Sequence, residues 1–170
     1  MTTTTADIRA LETELRRRVS GEVRFDTYSR AMYSTDASLY QMDPVGVVLP
    51  RGADDITAVV SICAEAGVPV LPRGGGTSLA GQTVNHAVVL DFTKHMHGVA
   101  EVNAEERWVR AQPGITLDEL NHHLLPHGLH YTPDPTTSSR ATVGGTIGNN
   151  SCGSHSVVYG KTSDHVREVD

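Results

Sequence analysis

VPVLPRGGGTSLAGQ, residues 68–82, joins an apolar run to a glycine-rich turn with no spacer between them. Val68 to Pro72 reads as a short strand. Arg73 and three consecutive glycines, Gly74, Gly75 and Gly76, follow at once. With no Cβ in the way, backbone amides of such a run can turn toward one point and form an anion-binding concavity. The hydroxyls of Thr77 and Ser78 can add donors, Arg73 can add charge, and Gly81 and Gln82 close the run. The guest that suits it is a phosphate or a pyrophosphate.

Several readings of this run compete. The G-x-G-x-x-G fingerprint fits Gly74 and Gly76 but then wants a glycine where Leu79 stands. The P-loop pattern fits Gly76, Gly81 and Thr83, yet Gln82 occupies the lysine position, and a neutral amide cannot supply that point charge. Val88 to Asp91 imitates a Walker B strand, but the chain between Thr83 and Leu90 is too short for the helix that must follow a P-loop. A tight turn without a ligand is the plain alternative.

Alternation surrounds the run. VGVVLP, from Val45, reads as a strand. A helix capped by Asp54 or Asp55 follows, with Ile56, Val59, Val60 and Cys63 inward and Gly67 and Pro69 as its stop. With Val68 to Pro72 these make a βαβ unit. Downstream, AVVLDF (residues 87–92) reads as a third strand. Val99 to Val102 and Trp108 to Ala111 read as a hairpin about a polar turn at Ala104 to Glu106. Thr116 and Glu119 form a capping box for a helix bearing Leu117, Leu120, Leu124 and Leu125, with Pro126 and Gly128 beyond it. Upstream, Asp7 to Val19 carries Ile8, Leu11, Leu15 and Val19 on one helical face, with Thr5 as N-cap and Gly21 as stop. Residues 25–44 have no clean period and read as an ordered loop.

A second unusual segment, DPTTSSRATVGGTIGNNSCG, spans residues 134–153. By composition it is loop or linker. Two segments so rich in backbone and hydroxyl donors suit the two sides of a long, flat, phosphate-bearing cofactor. The final residues, 163–170, read as the start of a strand that stops without a cap. This implies a fragment of a longer protein.

Together, PRGGGTSLAGQ, residues 134–153 and YGKTSDHV (159–166) resemble the FAD-binding (PCMH-type) domain of the vanillyl-alcohol oxidase/p-cresol methylhydroxylase superfamily. YSTDASLY (33–40), VVLP (47–50) and PGITLDELN (113–121) match the same pattern, so the resemblance covers nearly all of residues 30–170. It is nearest to the FAD-linked 2-hydroxy-acid dehydrogenases: glycolate oxidase flavin subunits, D-lactate dehydrogenases and D-2-hydroxyglutarate dehydrogenases. The resemblance implies an α+β fold of two lobes, a small βαβ lobe and a larger, mainly antiparallel one. It implies an N-terminal helix and loop over residues 1–42 and an FAD-binding domain over 43–170 that lacks the substrate-binding cap.

The resemblance also implies site residues. The amides of Arg73, Gly74, Gly75, Gly76, Thr77 and Ser78, with Gly81 and Gln82, would cradle the FAD pyrophosphate. Pro133 and Asp134 would lie on the cofactor path. Ser139, Thr142, Gly144, Gly145, Ile147, Asn149 and Gly153 would wall the ribityl and isoalloxazine region, and Gly160 and Val166 would close the adenine side. No histidine lies between Arg73 and Gln82, so FAD is expected to be non-covalent. Cys152 would be near the flavin and is read as a small buried residue. The family oxidises a 2-hydroxy acid and passes electrons to an acceptor. Its substrate and proton-abstracting residues belong mostly to the absent cap, so the resemblance points to no catalytic residue in this chain and this fragment alone is expected to be inactive. Some relatives continue into an iron–sulfur region, which these residues do not encode.

Composition bounds the alternatives. The chain has 170 residues and a formal net charge of −6, with no dense basic cluster beyond Arg16 to Arg18, so nucleic acid is not an expected partner. Two cysteines without a CxxC spacing suggest neither zinc nor a disulfide framework. His123 and His127 are four apart but Pro126 interrupts them, and no metal is expected. No apolar run is long enough to cross a bilayer. A cytoplasmic protein, or one held at a membrane surface by a redox partner, follows as the expectation. The competing function is a nucleotide-binding or interaction module without redox activity, a degenerate P-loop-like domain.

Overall fold

The computed structural model describes residues 7–170. They divide into two compact units, one ending at His95 and the other beginning at Met96. The first unit holds α1 (Ile8–Arg18), β1 (Glu22–Arg24), α2 (Thr27–Met32), β2 (Gly46–Leu49), α3 (Ala53–Ala66), β3 (Val70–Arg73) and β4 (Val88–Asp91).

The four strands form one sheet in the order β1-β2-β4-β3. β2, β4 and β3 run parallel, and β1 lies antiparallel at one edge. β2 and β4 are buried along their whole length, as parallel strands covered on both faces must be. Their alternate side chains divide between the faces. Val48, Val88 and Leu90 join Leu11 and Leu15 of α1 and Val59 and Ile62 of α3. Val47, Leu49 and Val89 pack on the other face with Tyr33 and Leu71. The βαβ unit is therefore present as β2–α3–β3, with the strand that follows the glycine run inserted between its two strands.

Local chemistry explains where the expected boundaries moved. Thr5 lies outside the described residues, and Asp7 caps α1 by accepting from the amides of Arg9 and Ala10 at 3.0 and 3.1 Å. Ile8 is exposed, so the buried stripe of α1 starts at Leu11. The N-cap of α3 is Gly52, not Asp54 or Asp55. Asp55 sits inside the first turn, and its carboxylate accepts from the amides of Ser20, Gly21 and Arg51 at 2.7, 3.0 and 2.8 Å. Burial alone would raise the Asp55 carboxyl, but these donors hold it below the usual range. Val60 points outward, and Ala58 and Ile62 take the inner face instead. Residues 25–44 are not loop throughout. Asp26 accepts from the Ser29 amide at 2.8 Å and starts the six-residue α2, too short to show a period in sequence.

The second unit holds β5 (Val99–Asn103), β6 (Trp108–Ala111), α4 (Leu117–Leu124), α5 (Val143–Asn149), α6 (Ser156–Tyr159) and α7 (Thr162–His165). β5 and β6 form the expected antiparallel hairpin, with an irregularity between Val99 and Glu101. The Thr116–Glu119 capping box is formed. Leu120 and Leu124 pack with Ile115, whereas Leu125 falls in a 3-10 turn and is exposed. Residues 163–170 begin no strand. The Lys161 amide donates to Asp164 Oδ2 at 2.7 Å, which turns the chain into α7, and no strand follows among the described residues. None of the described helices is long and apolar enough to cross a membrane.

Candidate cofactor site

β3 delivers the glycine run at its C-terminal end, where a parallel sheet opens to ligands. Gly76 and Gly81 have φ of +65° and +77°, the left-handed region that favours glycine. Among the described residues, the amides of Gly74 through Leu79 donate no hydrogen bond, and neither do the hydroxyls of Thr77 and Ser78. Backbone donors buried away from water are rarely left unpaired, whereas these lie on half-buried or exposed residues, open to a ligand. A row of consecutive donors, with glycine at the sharpest position, is what an anion requires.

The Arg73 side chain does not join this row. Its guanidinium turns back to donate to the carbonyls of Tyr33, Thr35 and Thr83 at 3.3, 2.8 and 2.9 Å. The charge that the sequence offered to a phosphate is therefore engaged by the protein's own backbone. Behind it, the Tyr33 hydroxyl donates to Asp91 Oδ2 at 2.5 Å, and Asp91 Oδ1 accepts from the amide and hydroxyl of Thr93 at 2.8 and 2.7 Å. Burial and the neighbouring Asp91 push the Tyr33 phenol well above its ordinary range, so it stays a donor. Gln82 stays close to the run, its side-chain oxygen accepting from the Ala80 amide at 3.2 Å.

In the second unit the polar segment is ordered by its own hydrogen bonds. Thr142 is buried and caps α5 by accepting from the Gly145 amide at 3.2 Å. The Gly144 amide donates to the Pro113 carbonyl at 2.9 Å, and a Cβ there would lie 2.8 Å from the Pro113 Cβ. Gly144 and Gly145 thus serve the packing of α5, and their amides are engaged within the protein. Ile147 and Asn149 are exposed on the same helix. Asp134 and Gly153 are brought together: Asp134 accepts from Ser154 Oγ and the His155 amide, each at 3.2 Å, and from His155 Nδ1. Pro133 is buried, Ser139 exposed and Val166 half-buried. Gly160, at φ +88°, abuts the Asp164 carboxylate. Cys152 is exposed, not the small buried residue expected, while Cys63 is buried. α5 ends at Asn149 with Asn150 as its left-handed cap, and Cys152 follows in the irregular segment beyond it, outside the packed stripe.

The model of the family described as "FAD binding domain" matches residues 44–170. The chain belongs to the FAD-binding domain family. A D-2-hydroxyglutarate dehydrogenase of Pseudomonas putida is 44% identical over 88% of the chain, which spans 15% of that protein. Glycolate oxidase subunit GlcD of Bacillus subtilis is 39% identical over 87% of the chain, which spans 32% of that protein. Solved structures of alkyldihydroxyacetonephosphate synthase (TM-score 0.83, 24% identity, 92% of this chain and 32% of that one) and p-cresol methylhydroxylase (0.71, 16%, 88% and 31%) share the fold.

The residues of the glycine run fit FAD, because the free amides and hydroxyls suit its pyrophosphate. Sequence reasoning missed the contacts behind the run, Tyr33 with Asp91 and the Asp36 carboxylate accepting from Thr83 Oγ1 at 2.9 Å. Only the match of residues 33–40 to the family pattern hinted at them. Hydrogen bonds between residues tens of positions apart leave no periodic trace.

Proposed function

We propose that this chain is the FAD-binding module of a flavin-dependent dehydrogenase that oxidises a 2-hydroxy acid, and that it acts in the cytoplasm. The row of unpaired amides from Gly74 to Leu79 carries the reading. The run Arg73 to Ser78, with Gly81 and Gln82, holds the pyrophosphate through backbone amides and the Thr77 and Ser78 hydroxyls. The exposed face of α5, with Ile147 and Asn149, walls the ring system. Thr142, Gly144, Gly145 and Gly153 shape that wall by close packing, Pro133, Asp134 and Ser139 line the cofactor path, and Gly160 and Val166 bound the adenine side.

Bound FAD supplies the hydride-accepting chemistry, and the protein binds and orients it. The cofactor is non-covalent, since the glycine run offers no histidine for attachment. The names of the relatives point to a D-2-hydroxy acid, with D-2-hydroxyglutarate the first to test and a separate electron acceptor downstream.

Purified protein titrated with FAD should quench flavin fluorescence at one equivalent and acquire flavin visible absorbance. A colourless protein that takes up no FAD yet binds ATP with magnesium would sink the reading in favour of a nucleotide-binding module without redox activity.

A further inference from the structure

Arg73 and Thr83 bound the glycine run, and one guanidinium holds the carbonyls of Thr83, Tyr33 and Thr35 at once. The same cation lies 5.4 Å from the centre of the Tyr33 ring, itself fixed by Asp91. A second tie runs through Asp36. Its carboxylate accepts from Thr83 Oγ1 at 2.9 Å and from the Ser38 amide at 2.8 Å. Burial works against the charged form of Asp36, and the Ser38 and Thr83 donors outweigh it, so its carboxyl lies below the usual range. A third tie reaches the middle of the run, where the Ala37 amide donates to the Gly76 carbonyl at 3.0 Å.

That third tie has a directional consequence. The peptide unit is planar and trans, so its C=O and N–H point to opposite sides. Fixing the Gly76 carbonyl toward Ala37 aims the Thr77 N–H away from residues 33–37. The peptide unit at the middle of the row is thus aimed by a separate segment that holds its carbonyl side.

We propose that residues 33–37 are the template that aims the glycine run, and that the Arg73 guanidinium and the Asp36 carboxylate position the run rather than bind the pyrophosphate themselves. The proposal rests on the FAD reading above. The task suits arginine: its planar fork of donors reaches several carbonyls at once, whereas a lysine is a point charge.

The test compares Arg73→Met, Arg73→Lys and Asp36→Asn with the wild type. FAD titration gives affinity, and hydrogen exchange reports residues 74–82 separately from β2 and β4. Arg73→Met and Arg73→Lys should both weaken FAD about 30-fold, and Asp36→Asn about 5-fold, as the loss of charge-assisted hydrogen bonds implies. FAD-induced protection of residues 74–82 should fall while β2 and β4 keep theirs.

An Arg73→Lys protein with wild-type affinity would make Arg73 a simple charge donor and overturn the proposal. So would parallel loss of protection in loop and sheet in all three variants, which marks a general structural role. A wild-type protein that takes up no FAD defeats the cofactor reading instead. The template then stands or falls on whether proteinase K cuts Arg73→Met, and not the wild type, between residues 74 and 82.

Discussion

A Cβ on Gly153 would lie 2.1 Å from Asp134 Oδ1 and 2.2 Å from the Asp134 carbonyl oxygen. One obstacle is backbone and cannot swing aside, so Gly153→Ala must force the two strands of chain apart. The expected cost is about 1–3 kcal/mol, read as a lower urea midpoint; an unchanged midpoint would refute the close approach. Tyr33→Phe removes the hydroxyl that serves buried Asp91 while leaving the ring under Arg73. Leaving that carboxylate one partner short should cost about 1–3 kcal/mol, measured by thermal or chemical unfolding.

At the scale of elements, α4 is held by a cap and a stripe. Thr116→Ala removes the capping box and should cost about 1 kcal/mol. Leu120→Ala, at a fully buried position, should cost about 2–5 kcal/mol, whereas exposed Leu125→Ala should stay within about 0.5 kcal/mol. Equal effects at the two leucines would show that the 3-10 turn does not divide them. α3, α4 and the β5–β6 hairpin were legible from sequence because each is long enough to repeat its pattern or carries its own punctuation. α2, α5, α6 and α7 were not. They are single or double turns, and in α5 one of the glycines that mark a loop by composition, Gly144, lets the helix approach Pro113 closely.

At the scale of the whole molecule, the first unit carries one strongly shifted acid. Lys94, then Arg24, with His95 adding to them, draw the Glu22 carboxyl down from 4.5 to about 2. A depressed acid contributes stability that is present above its unfolded value and lost as pH falls through the folded one. Glu22→Gln should therefore differ from wild type in melting temperature at pH 7, with the gap closing between about pH 4.5 and pH 2. A gap that persists at pH 2 would remove Glu22 from the account.

The sequence by itself determined the family and the βαβ unit, and it singled out the glycine run. Those rest on short-range facts: apolar runs, caps, and residues without a Cβ. Tertiary structure alone decided that Arg73 faces backwards, that Asp55 fastens a turn instead of capping a helix, and that Gly144 spends its amide on Pro113. Each of these is a choice among several possible partners. It is settled by which carbonyl or amide the folded chain brings within hydrogen-bond reach, and sequence order does not encode that distance.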